Sequence, residues 1–153
     1  MQAQEFMIRQ VHKVKDTDTV RAVIERFLEH GISGLPVVND RNEIVGYISD
    51  GDIMRYIGKR DDVMIEAGYF FAVFKGDDRQ FEERAQQLLD LNVMRIAQKK
   101  EKVIKVQWDE EIENIAAILG KRKIKKVPVE RNGVLVGIIS RGNVIRQTFK
   151  HML

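Results

Sequence analysis

The chain has no cysteine, which excludes disulfides, thiolate nucleophiles and cysteine-based zinc sites. It has two prolines, one tryptophan and three histidines in 153 residues. The histidines, His12, His30 and His151, are too scattered to form a metal-ligand pattern. No apolar run approaches the ~20 residues of a membrane-crossing helix. Residues 1–10 lack the apolar stretch of a secretory signal. Neither sign of charge dominates: 26 Lys and Arg stand against 23 Asp and Glu, a net charge of +3. That is far from the basic stripe of a dedicated nucleic-acid binder. The expectation is a soluble cytoplasmic protein, and the absence of cysteine fits a reducing compartment. Also missing are a nucleophile–base pair and a Walker-type glycine loop, so the sequence does not read as an enzyme.

What is present is a repeated pattern. Apolar residues make up 44% and charged residues 32%, enough for a core and a solvated surface. Leu35-Pro36-Val37-Val38 followed by Val45-Gly46-Tyr47-Ile48-Ser49 returns as Val127-Pro128-Val129 followed by Val136-Gly137-Ile138-Ile139-Ser140. The only two prolines are offset by 92 and the glycines by 91. Val14 pairs with Val106 and Val20 with Ile112, again at 92. Internal repeats at fixed spacing mark stacked supersecondary units.

Each copy predicts β-α-β-β-α. Val11, Lys13 and Val14 predict a first strand, repeated at 103–106. Asp16-Thr17-Asp18-Thr19 supplies helix caps before Val20, Val23, Ile24, Phe27 and Leu28, one apolar face, with Gly31 as C-cap. The second copy has Ile112, Ile115, Ala116 and Leu119 in that role. Strands at 35–38 and 44–48 flank a polar turn, and Asn132-Gly133 is a hairpin signal in the second copy. Second helices are expected from about Gly51 to Ile57 and from Gly142 to Met152. One such unit is too small to bury its sheet alone.

Between the copies, residues 59–92 form an insert. Lys59-Arg60-Asp61-Asp62 is polar, Tyr69, Phe70, Phe71 and Phe74 cluster, and Gly76-Asp77-Asp78 reads as a turn. Phe81, Ala85, Leu88, Leu89 and Leu91 then mark an amphipathic helix. Four aromatics so close together are expected to be withdrawn from water. The insert is a candidate output element.

The duplicated Leu-Pro-Val and Gly-x-x-Ser-x-x-Asp pattern resembles CBS (cystathionine-β-synthase-type) domains, which occur as pairs. The resemblance covers residues 5–58 and 93–150. It implies an α+β fold in which two β-α-β-β-α repeats pack sheet to sheet about a pseudo-twofold axis, with the helical, aromatic insert between them. The expected divisions are 1–58, 59–92 and 93–153.

It further implies two clefts for an adenine nucleotide (AMP, ADP or ATP) acting as a regulatory ligand rather than a required cofactor, with no catalytic residue and no metal. The preferred cleft would hold Ser49, Gly51 and Asp52 beside Val103, Ile104, Lys125, Lys126 and Val127. Asp52 would accept from ribose hydroxyls, and the helix N-terminus would face an anion. The second would hold Ser140 and Asn143 beside Ile8, Val11, His12, Ser33, Gly34 and Leu35. Asn143 keeps an acceptor but not the charge, so this cleft would be empty or would take a less charged ligand such as S-adenosylmethionine. The family's Met-Thr before the first strand is Met7-Ile8 here and Met94-Arg95 in the second copy. On that register the methionines are offset by 87, placing five extra residues before Val103. A homodimer and an unidentified effector protein are the partners the resemblance implies.

Other readings stand beside these. Ser49 and Ser140 would serve as plain helix caps, and Asp52 would suit a helix dipole. Lys99-Lys100, Lys121-Arg122-Lys123 and Lys125-Lys126 would be solvated surface or, more weakly, a nucleic-acid contact. His12 reads as a strand-surface residue, Trp108 as packing, and Met54 and Tyr56 as a helix interface. A protein-interaction module with no small ligand is the alternative function.

Overall fold

The computed structural model describes residues 1–59, 63–68, 70–74, 76 and 80–153. The elements in order are α1 (Ala3–Phe6), β1 (Val14–Lys15), α2 (Val20–His30), β2 (Gly34–Val38), β3 (Ile44–Ser49), α3 (Asp50–Ile57), β4 (Val63–Ala67), β5 (Phe70–Phe74), α4 (Phe81–Leu89), β6 (Gln98–Lys99), β7 (Val106–Gln107), α5 (Ile112–Lys121), β8 (Lys126–Arg131), β9 (Val134–Ser140) and α6 (Arg141–Phe149). One sheet runs β1-β2-β3-β6 and the other β7-β8-β9. In both, the first strand lies parallel to the second and the hairpin follows antiparallel. This is the duplicated β-α-β-β-α arrangement expected from the repeat.

Local signals explain the element ends. Gly31 ends α2 in the left-handed region at φ 62°, where a residue without Cβ is unstrained. Asn132 and Gly133 turn between β8 and β9 with φ 52° and 81°, the paired positive angles of a tight hairpin. The first strands are shorter than expected: only Val14–Lys15 and Val106–Gln107 join the ladders, and Lys100–Lys102 is a 3-10 turn. Leu28 departs from the expected apolar face. It is 81% exposed, because it falls at the edge of the stripe set by Val20, Val23 and Phe27.

The two cores are completed crosswise. Val14, Val20, Val23, Leu35, Val37 and Ile48 of the first copy pack with Leu88, Val93 and Ala97, which precede the second. Ala3 and Met7, which precede the first copy, pack with Val106, Ile115, Leu119, Val127 and Ile139 of the second. Main-chain bonds follow the same exchange. Ile8 and Ile138 trade N–H···O bonds of 2.9 Å each, and β6 pairs with β3 at Gly46 and Tyr47. A third cluster, Val38, Ile44, Val103 and Leu135, joins the halves. There Asn42 Nδ2 donates to the Leu135 carbonyl and Leu135 N to the Asn42 carbonyl, each at 2.9 Å.

This pairing corrects the register of the leading segments. Ile8 bridges Ile138 as Gln98 pairs with Tyr47, an offset of 90. Met7 therefore corresponds to Ala97, not Met94, and the second copy carries two extra residues before its first strand rather than five.

The insert contains a β-hairpin, β4 paired antiparallel with β5, that the aromatic run did not announce. Helix α4 follows as expected, with Leu88 buried and Phe81 52% exposed. The expected turn at 76–78, the polar run at 60–62 and the aromatic side chains at 69–71 and 74 lie outside the described residues. Among the described residues no helix is long and apolar enough to cross a membrane.

Candidate functional site

Both Ser-x-x-Asp/Asn motifs sit where a β-strand passes straight into a helix. Ser49 ends β3 and is the N-cap of α3; Ser140 ends β9 and is the N-cap of α6. Extended backbone at each serine leaves the first helical N–H groups unmatched, and the side chain three residues on turns back to satisfy the cap. Ser49 N donates to Asp52 Oδ2 at 2.9 Å and Ser49 Oγ to the same oxygen at 3.3 Å. In the second copy Ser140 N donates to Asn143 Oδ1 at 2.9 Å and Asn143 N to Ser140 Oγ at 3.1 Å. The plain capping role is thus real in both copies.

Asp52 is buried, and its other oxygen, Oδ1, takes the Arg55 guanidinium one turn along the helix. Arg55 itself is 72% exposed and free to swing away. The second copy has a neutral amide in place of this ion pair, so the two helix ends differ electrostatically. The far end of α3 is held from the insert: Arg84 of α4, itself buried, donates from Nε to the Ile57 carbonyl at 2.9 Å.

Beside the start of β8 lies a cavity of about 50 Å³ lined by Tyr47, Val103, Ile104, Ile124, Lys126 and Pro128, with Gln98 at its edge. Tyr47 forms one of its walls. A Cβ built at Gly34 would lie 2.7 Å from the Tyr47 hydroxyl, so only glycine lets the ring settle there. Burial, and to a lesser degree the Asp50 carboxylate, pushes the Tyr47 phenol up to about 12. Burial also holds the Lys126 ammonium below the usual lysine range. Among the described residues neither the Tyr47 hydroxyl nor the Lys126 ammonium has a hydrogen-bond or ion-pair partner.

The other expected residues fall as follows. Val103, Ile104 and Lys126 share the cavity. Ser49 and Asp52 are not among its lining residues. Lys125 is exposed, and its carbonyl accepts from Arg141 N at 3.0 Å. Gly51 sits in the first turn of α3. Val127 and Leu35 are fully buried in the two repeat cores and can offer a ligand only main-chain atoms. Ser33 receives Asp50 N at 2.8 Å, and Val11 packs in the inter-repeat cluster. Ile8 is half-exposed on its bridge to Ile138. His12 stacks on His30 with ring centroids 3.8 Å apart. His12 is held below the usual histidine range by burial, then by His30, Lys126 and Arg26, with Glu29 opposing. Trp108 packs as expected, with Arg131 4.1 Å above its ring. Among the described residues no group of three His, Asp or Glu side chains could hold a metal.

Sequence reasoning missed Tyr47 and Arg55. Arg55 carried a signal, the i,i+3 spacing from Asp52 on a helix. Tyr47 carried none beyond being the larger of two residues at the same repeat position.

Two sheets related by a pseudo-twofold axis, each delivering a capped helix N-terminus, define a tandem-repeat module. The family model described as CBS domain matches residues 3–59 and 100–149, and the chain belongs to that family. It is similar to the CBS domain-containing protein CBSX1, chloroplastic, of Arabidopsis thaliana: 31% identity, covering 93% of this chain and 61% of the relative. It thus spans about three fifths of that relative's length. Protein MJ1426 of Methanocaldococcus jannaschii is 29% identical, with 95% of this chain and 89% of the relative covered. Among solved structures, CBSX2 in complex with AMP superposes with a TM-score of 0.73 at 23% identity, covering 99% and 98% of the two chains. The CBS domain pair of protein MJ0100, in complex with 5′-methylthioadenosine and S-adenosyl-L-methionine, gives 0.69 at 18% identity over 99% and 98%.

Proposed function

We propose that this chain is a non-catalytic regulatory module that binds an adenine nucleotide (AMP, ADP or ATP) in the cleft between the α3 N-terminus and the start of β8. The observation that carries this reading is Lys126: among the described residues, a partly buried ammonium without a counter-ion, sharing a cavity with a phenol without a partner. A desolvated cation without an anion is costly, and a ligand phosphate removes that cost. Asp52 offers carboxylate oxygens to a ribose diol once Arg55 moves aside. The adenosine ligands of CBSX2 and of the MJ0100 pair support the ligand class. A cavity of about 50 Å³ is smaller than the 300 Å³ or more of ordinary ligand pockets, so binding must move Tyr47 off Gly34. The cleft with Ser140 and Asn143 suits a less charged ligand such as S-adenosylmethionine.

In this reading residues 1–58 and 93–153 form the two halves of the module. Residues 59–92 carry the output through the Arg84–Ile57 bond to an effector protein, in the cytoplasm. The module pairs with a second copy through the depression of about 370 Å³ between α5 and α6, next to exposed Ile145 and Phe149.

Titration calorimetry with AMP, ATP and S-adenosylmethionine tests the proposal. Saturable binding of AMP or ATP weakened at least tenfold by Asp52→Ala is expected. No heat with any of the three leaves a ligand-free interaction module, the reading favoured by the closed capping boxes.

A further inference from the structure

We propose that the first repeat carries a second, separate site for a small oxyanion, a phosphate or carboxylate group, in a cavity behind β1. The cavity measures about 290 Å³ and lies among Lys13, Lys15 and Arg26, with Val38 at its base. None of these residues belongs to the nucleotide clefts.

The pseudo-symmetry shows what such a position accommodates. The β1–β2 ladder places Lys15 opposite Val38, and the β7–β8 ladder places Gln107 opposite Glu130. Lys105 stands to Val106 as Lys13 does to Val14. In the second repeat the position is filled from within. Glu130 is buried, its Oε2 pairs with Lys105 Nζ at 3.0 Å, and its Oε1 accepts from Gln107 Nε2 at 2.8 Å. Here a buried carboxylate is gripped by the two residues that flank the first strand's valine. The first repeat has Val38 in place of that carboxylate, lysine at both flanking positions, and Arg26 where the second has Ile118. The cations are kept and multiplied, while the carboxylates on the lining, Asp18 and Asp40, are not buried as Glu130 is.

The present partners of these cations are weak. Lys13 Nζ donates to the neutral Asn42 Oδ1 at 2.7 Å. Lys15 Nζ pairs at 3.0 Å with Asp40, which is 86% exposed, and exposed pairs contribute little. Among the described residues Arg26 reaches only the Ala22 carbonyl of its own helix at 3.3 Å. Asp18 and Asp40 line the cavity as opposing charges and Asp16 also acts on Lys15, but the Asp18 carboxylate is engaged by Lys15 N at 2.8 Å. An arriving oxyanion thus meets three cations and two carboxylates: Asp18, fixed by its hydrogen bond from Lys15 N, and exposed Asp40, which it would have to displace from Lys15.

Inorganic phosphate is the probe, in a buffer of constant ionic strength with chloride as control. Binding is followed by amide shifts of the full chain. Saturable shifts at 13–15, 26 and 38–42 are expected, with affinity falling at least tenfold in the Lys13→Gln/Arg26→Gln double variant. Lys126→Gln and Asp52→Ala, which remove the nucleotide cleft, should leave that affinity unchanged, so failure of either site is seen separately. Val38→Glu supplies the carboxylate internally and should abolish the phosphate shifts. Glu130→Gln should create a matching response at 105–107. Shifts no larger than those given by chloride, or a phosphate affinity unaltered in the double variant, would overturn the proposal. Because Val38→Glu alters a core position, the double variant decides if that protein does not fold.

Discussion

The Met7 side chain lies against the Cα of Gly137, so closely that a Cβ built there would stand 2.5 Å from Sδ and 3.0 Å from the Met7 Cβ. Across the pseudo-twofold axis Met94 lies over Gly46, but there the nearest obstacle is main chain, the Gln98 carbonyl at 2.8 Å. The two glycines therefore fail differently. Gly137→Ala should cost about 1–3 kcal/mol, the usual range for overpacking, and Met7→Ala in the same chain should recover part of it. Gly46→Ala should not be rescued by Met94→Ala, because the clash is with backbone. Urea unfolding of the four variants checks this; equal rescue on both sides would contradict the geometry.

Lys126 gives a prediction of opposite sign for stability and binding. Folding removes its ammonium partly from water, and that burial disfavours the charged form. Lys126→Met should raise the Tm by about 1–3 °C while weakening phosphate-bearing nucleotides more than adenosine itself. Scanning calorimetry and nucleotide titration read the two effects.

His12 predicts a pH dependence. Its folded value lies below the ordinary 6.5, so the unfolded chain takes up a proton first as pH falls. Stability contributed by neutral His12 is complete above 6.5 and declines as pH drops from there toward the folded value. Proton NMR of the ring should show a midpoint below 6.5 that moves upward in His30→Gln. An unmoved midpoint would show that the stack contributes nothing to the shift.

Arg55 competes with a ribose for Asp52. Arg55→Ala should tighten adenosine binding by a few-fold, because Oδ1 no longer has to be vacated. Asp52→Ala should weaken binding and also lower stability by about 1 kcal/mol through loss of the α3 cap. Asp52→Asn, which keeps a cap acceptor as Asn143 does, should separate the two. Calorimetry with AMP alongside urea unfolding measures both.

Much of the fold was legible because duplication gives every landmark a second witness. Pro36 and Pro128, Gly46 and Gly137, and the two helix faces fixed the element order before any coordinates. The crossed cores were not legible. Met7 and Met94 look equivalent in sequence, and only the bridge of Ile8 to Ile138 shows that Ala97 is the true counterpart. The hairpin of the insert was hidden because its aromatics read as a patch, although Gly68, at φ 60°, marked its bend. At the candidate site Ser49 and Asp52 were readable as a motif. The seating of the Tyr47 ring depends on the bare Cα of Gly34 across the ladder, a relation between strands that no local spacing encodes.

The exchange of leading segments makes each half of the protein depend on the other. A lone copy of the unit, cut before its partner, would lack the stretch that closes its interior, as Val93 and Ala97 close the first and Ala3 and Met7 the second. It could become whole only by trading arms with an identical molecule. Splitting the present protein into separately expressed halves should therefore yield material that folds only when the two are mixed.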